Sequence, residues 1–68
     1  MTVKTTSYKI KEFREEKGWS QEELANKSNV SRSIISELET GKRIATGTVT
    51  LMKIAKALEV PMREIFLN

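Results

Sequence analysis

Residues Trp19-Ser-Gln-Glu-Glu-Leu-Ala-Asn-Lys-Ser-Asn-Val-Ser-Arg-Ser-Ile-Ile-Ser-Glu-Leu-Glu-Thr-Gly41 read as two short, separately started helices with a tight turn between them. Ser20 and Glu23 stand at capping-box spacing, where the serine oxygen accepts from the third helical N–H and the glutamate reaches back to the cap's own N–H. Trp19 before the cap and Leu24 four positions inside are placed as a hydrophobic staple. This helix is expected to run to about Ser28, because Asn29 follows and asparagine tolerates the left-handed conformation of a tight turn. Ser31 offers the next N-cap, and Val30 with Ile35 repeats the staple. Beyond it Ile35 and Leu38 share a face, flanked by Ile34, while Ser33, Ser36, Glu37 and Thr40 project from the other side. Gly41 closes that helix.

Upstream, Ile10 and Phe13 recur at helical spacing among charged neighbours, which predicts a helix from Tyr8 to Lys17 ended by Gly18. Residues 1–6 read as a flexible N-terminal tail. Downstream, Lys42 and Arg43 open a basic loop that runs through Thr46 and Gly47. Leu51, Ile54, Ala55 and Leu58 then form a core-facing stripe on a helix from Thr48 to Leu58. Pro61 suits the first turn of a final helix, with Met62, Ile65 and Phe66 as its apolar side. The expectation is a single all-α domain of five helices over residues 1–68, with Phe13, Trp19, Leu24, Val30, Ile35, Leu38, Ile54 and Leu58 in its core.

Composition narrows the function. With 38% apolar and 31% charged residues, the chain lies in the globular range. It contains no cysteine, histidine or aspartate, which removes disulfides, thiolate nucleophiles, most zinc sites and the usual general base. The glutamates show no liganding cluster, and no glycine loop is built to cradle phosphate. No enzyme activity, metal or cofactor is therefore expected. The first seven residues lack the apolar run of a signal peptide, and no stretch approaches the roughly 20 residues of a membrane span, so a cytoplasmic location without membrane association is expected. A net charge of +3 is too small to diagnose a nucleic-acid partner, and the placement of the charges must decide.

Two short capped helices across a tight turn, with small Ala25 permitting close approach, let the second helix enter a major groove. Its serines allow backbone approach and offer hydroxyls to phosphates or bases; the alternative is an ordinary solvated helix face. Gln21-Glu-Glu-Leu-Ala-Asn-Lys-Ser-Asn-Val-Ser-Arg-Ser-Ile-Ile-Ser-Glu-Leu-Glu39, followed by Gly41-Lys-Arg43, resembles the phage-repressor and Cro helix-turn-helix family of XRE-like regulators. Ile54-Ala-Lys-Ala-Leu58 extends the resemblance, which covers the chain from about Ile10 to Phe66. It implies a lambda-repressor-like DNA-binding domain that reads specific double-stranded DNA with its third helix and regulates transcription, with repression as the expected mode. It further implies a homodimer on a palindromic operator, whose seam is either Met62, Phe66 and Leu67 or lies elsewhere if those residues close the monomer's own core. No small-molecule effector is suggested. The alternative from a different class is a helical protein-interaction module of a larger regulatory complex.

The resemblance places base or groove reading at Ser31, Arg32, Ser33, Ser36 and Glu37, with Thr40 near the sugar-phosphate wall. Arg32 suits the two guanine acceptors of the major groove, or else clamps phosphate. Glu37 either accepts from the cytosine amino group or pairs within the protein. In the family the glutamine at the position of Gln21 touches the DNA backbone; otherwise it is a routine first helical residue. Lys42 and Arg43 suit salt-dependent phosphate contact, against the alternative of a solvated basic loop. The resemblance also implies an ion pair between Arg14 and Glu39. Three departures stand out: Asn29 and Glu59 where the family commonly has glycine, and a loop at residues 44–48 without the usual proline and about one residue longer.

Overall fold

Helix ends follow from local chemistry. A computed structural model describes residues 8–42 and 46–66, which form α1 (Ile10–Glu16), α2 (Gln21–Ser28), α3 (Arg32–Thr40), α4 (Thr48–Leu58) and α5 (Met62–Ile65). The first helix starts two residues later than expected, because the backbone of Tyr8 and Lys9 is used elsewhere. Tyr8 forms an isolated antiparallel bridge with Phe66, and the Lys9 N–H donates to the Ile65 carbonyl at 2.6 Å. At the other end Gly18 adopts φ 74°, its N–H donates to the Glu15 carbonyl (3.0 Å), and the Trp19 N–H donates to the Arg14 carbonyl (3.1 Å). That pair of bonds is a Schellman cap. A Cβ at position 18 would meet nothing within 4 Å, so glycine is required there by the backbone angle and not by space.

The box at the start of α2 is complete: Ser20 Oγ accepts from the Glu23 N–H at 3.0 Å, and the Ser20 N–H donates to Glu23 Oε1 at 2.8 Å. Asn29 takes the left-handed conformation (φ 59°) that ends this helix. Ser31 caps α3 by accepting from the Ser33 N–H at 3.1 Å, and Gly41 ends it at φ 85°. Glu59 ends α4 at φ 63°, so a glutamate occupies the backbone conformation that glycine fills at lower cost. Pro61 is the N-cap of α5 and not its first helical residue.

Helix α2 packs on α3 and α4, α1 on α3 and α4, and α5 on α4. The buried cluster contains Leu24, Val30, Ile35, Leu38, Ile54 and Leu58 as expected, together with Tyr8, Ile10, Leu51, Ala55 and Ile65. Truncating one such Leu or Ile to Ala costs about 2–5 kcal/mol. A chain this short has on the order of 5 kcal/mol to lose, so one core truncation is enough to unfold much of the population. Two expected core residues lie at the rim. Phe13 and Trp19 are only partly buried, and the Lys17 and Lys27 ammonium groups stand 5.3 and 5.0 Å from the Trp19 ring centroid. A large ring at the edge of a small core keeps its faces accessible to cations.

Phe66 is a further correction. It follows α5 in extended backbone, lies 41% exposed, and sets its ring 5.7 Å from that of Tyr8 instead of supplying the helix's apolar side. Ser28 is buried, and its Oγ has no hydrogen-bond partner among the described residues, at a cost of about 1–3 kcal/mol. Among the described residues no helix is long and apolar enough to cross a membrane, and no group of three or more His, Cys, Asp or Glu side chains is placed to hold a metal ion.

Candidate nucleic-acid interface

Position of the second motif helix is fixed by one carboxylate. Arg14 of α1 donates from Nε to Glu39 Oε2 at 2.8 Å and from Nη2 to Glu39 Oε1 at 3.0 Å, a bidentate pair. Its remaining Nη1 donates to the Trp19 carbonyl at 2.7 Å. Gln21, the first residue of α2, donates its side-chain amide to Glu39 Oε1 at 2.9 Å. Glu39 thus ties α1 and α2 to the last turn of α3. Hydrogen bonding from Arg14 to Glu39 holds the guanidinium above its ordinary pKa, against the burial that lowers it. The Arg14–Glu39 pair matches what the family resemblance implied; the Gln21–Glu39 bond was not anticipated, and no local signal in the sequence marks it.

The brace presents the outer face of α3. Arg32, Ser33, Ser36, Glu37, Thr40 and Lys42 line one open concavity of about 360 Å³. Arg32 and Ser36, Ser33 and Glu37, and Ser36 and Thr40 are each four residues apart, so they form a continuous stripe up one side of the helix. Arg32, Ser33, Thr40 and Lys42 are exposed, and Ser36 and Glu37 are half-buried. The lining carries two cations and one carboxylate, all on long side chains, between short hydroxyl residues. Such a surface admits a nucleic-acid groove closely and offers both donors and acceptors to base edges.

Of the residues expected at the interface, six line this concavity. Ser31 is exposed beside it and lines a neighbouring depression that also includes Ala25 and Asn29. Its oxygen is engaged as the cap of α3, which leaves its O–H to donate. Gln21 is half-buried at the start of α2, tied to the same helix through Glu39. Thr40 Oγ1 makes a long bond of 3.4 Å to the Glu37 carbonyl. Arg43, and Leu67 of the expected dimer seam, lie outside the described residues.

A family model described as helix-turn-helix matches residues 10–65. The HTH-type transcriptional regulator SlrR of Bacillus subtilis is 37% identical over 57 residues, covering 84% of this chain and 38% of that protein. The chain spans between 38% and 57% of the length of the curated relatives it matches. Among solved structures, the restriction-modification controller protein C.AhdI from Aeromonas hydrophila superposes with a TM-score of 0.78 at 40% identity, covering 84% of this chain and 85% of that one. The N-terminal DNA binding domain of SinR from Bacillus subtilis gives 0.77 at 35% identity, with 79% and 78% covered.

Proposed function

This chain belongs to the helix-turn-helix family, and on that premise we propose that it binds specific double-stranded DNA and regulates transcription, with α3 lying in the major groove. The observation that carries this reading is the single exposed concavity that gathers Arg32, Ser33, Ser36, Glu37, Thr40 and Lys42. The names of its relatives, transcriptional regulators and a DNA binding domain, support it. Arg32 donates to guanine O6 and N7, and Glu37 accepts from the cytosine amino group. Ser31, Ser33 and Ser36 contact base edges at close range because their side chains are short.

Gln21, Thr40, Lys42 and Arg43 hold the phosphate backbone and set the register of α3 without reading sequence. The bond from Gln21 to Glu39 couples that backbone contact to the reading helix. The protein acts in the cytoplasm as a homodimer on a palindromic operator, its two recognition helices about 34–36 Å apart, and represses where the operator overlaps a promoter. No catalytic step enters this mechanism.

Selection from a random duplex DNA pool at moderate salt tests it. The expected result is enrichment of inverted half-sites separated by about one helical turn. A lone half-site would retain DNA reading and remove the dimer. No enrichment by the folded protein would overturn the assignment.

A further inference from the structure

A second depression, of about 440 Å³, adjoins the concavity on α3 and shares Arg32 with it. Its lining includes Ser31 and Arg32 on the side of α3, and Glu22, Ala25 and Asn29 on the side of α2 and the turn. Asn29 is exposed and holds φ 59°. Backbone bonds close this turn: the Asn29 and Val30 N–H groups both donate to the Ala25 carbonyl, the second at 3.2 Å. Asparagine adopts left-handed backbone more readily than most residues because its amide can bond the neighbouring chain. The Asn29 side chain makes no such bond to any described residue. Glycine takes the same angle without steric cost, so the turn itself does not call for this side chain. The amide is left for a partner outside the fold.

Position identifies that partner. When a helix-turn-helix binds DNA, the first motif helix crosses the backbone and the second contacts base edges with its N-terminal residues. Asn29 ends the first helix and precedes Arg32, the first residue of the second, by three positions. It therefore sits where the chain passes from the groove wall to the bases. An uncharged amide N–H is a fitting donor to a phosphate oxygen. Glu22, the one carboxylate of the depression, lies seven residues back on α2, about two turns away, and Arg32 balances its charge. With no net charge in the lining to gather phosphate, a hydrogen bond has to hold it. We propose that Asn29 is a further DNA-contact residue, its side-chain amide donating to a phosphate at the groove wall beside the start of α3. It adds a backbone contact at the end of α3 opposite to Thr40 and Lys42. This inference rests on the DNA-binding reading.

The test compares the unaltered chain with Asn29→Gly and Asn29→Asp, on the duplex recovered from the random pool and on a duplex of scrambled sequence. Glycine keeps the backbone angle and removes the amide. The urea midpoint of Asn29→Gly is expected to equal or exceed that of the unaltered chain, while its affinity falls about tenfold on both duplexes. No charge is lost, so affinity should depend on salt as steeply as before, which separates Asn29 from Lys42. Aspartate also accepts left-handed backbone but brings a negative charge to the phosphate, so Asn29→Asp should bind more weakly than Asn29→Gly. One measurement needs no variant: in the nitrogen-labelled unaltered chain, the Asn29 side-chain amide signal should shift when either duplex is added. Unreduced affinity in Asn29→Gly, a loss confined to particular base pairs, a flattened salt dependence or an unmoved amide signal would overturn the inference and leave base reading by α3 intact. A lowered midpoint in Asn29→Gly would also overturn it, by assigning the side chain to the turn. Failure of the unaltered chain to bind either duplex would remove this inference and the DNA-binding reading together.

Discussion

Glu39 accepts three hydrogen bonds, two from Arg14 and one from Gln21, and its side chain is 2% exposed. Replacing it by alanine removes the charge partner of the Arg14 guanidinium and leaves it the Trp19 carbonyl as an acceptor, and such a loss costs about 3–5 kcal/mol. Glu39→Ala is therefore expected to remove most of the stability of a chain this size, read as a lowered urea midpoint. A midpoint near that of the parent protein would mean that water replaces the carboxylate. On the outer side of α3 the roles are separable by salt. Arg32→Ala should relax preference at one or two base pairs, whereas Lys42→Ala should weaken all sequences alike and flatten the dependence of affinity on salt. Quantitative binding to an operator and to point-mutated operators distinguishes these, and identical behaviour of both variants would remove Arg32 from base reading.

The helices themselves are short, α1 at 7 residues and α5 at 4, so their ends govern them. Four of the five are closed by a residue with positive φ: Gly18, Asn29, Gly41 and Glu59. Left-handed backbone costs a side-chain-bearing residue about 1–2 kcal/mol relative to glycine, part of which glycine returns through its larger freedom in the unfolded chain. Glu59 also meets Lys17 at 3.5 Å, but the glutamate side chain is 80% exposed, and an exposed pair contributes little. Glu59→Gly is expected to stabilise the protein by about 0.5–1 kcal/mol, measured by chemical denaturation. Destabilisation would show that the Glu59 side chain outweighs its backbone strain.

The two ends of the described chain meet, with Tyr8 and Phe66 bridging and the Lys9 N–H on the Ile65 carbonyl, so α1 and α5 close the domain together. Its response to pH follows from composition and one ion pair. No side chain present has an ordinary pKa between about 5 and 8, since histidine and cysteine are absent. Arg14 has its pKa raised in the folded state, so its contribution is complete below the ordinary arginine range and is lost only as pH rises through the raised value, far above neutrality. Thermal midpoints should accordingly stay level between about pH 6 and 9. A step within that range would expose a coupling that these side chains do not supply.

Much of this architecture was legible before any coordinates. Ser20 with Glu23, Asn29 and Ser31 set helix ends through bonds between residues a few positions apart, and Gly41 does so by its own backbone angle, local features that covalent geometry keeps together in any fold. The stripe of Leu51, Ile54, Ala55 and Leu58 announced its buried side by period alone. The outer face of α3 followed from the same period, and family resemblance supplied the partnership of Arg14 with Glu39. What remained hidden depends on how the helices lie against one another. Gln21 reaches Glu39 across 18 positions, Tyr8 and Phe66 join opposite ends of the domain, Trp19 stops at the rim, and Val49 with Met52 faces solvent although both are apolar. Hydropathy states a preference for burial, but a small core satisfies only some of its apolar side chains, and packing selects which ones.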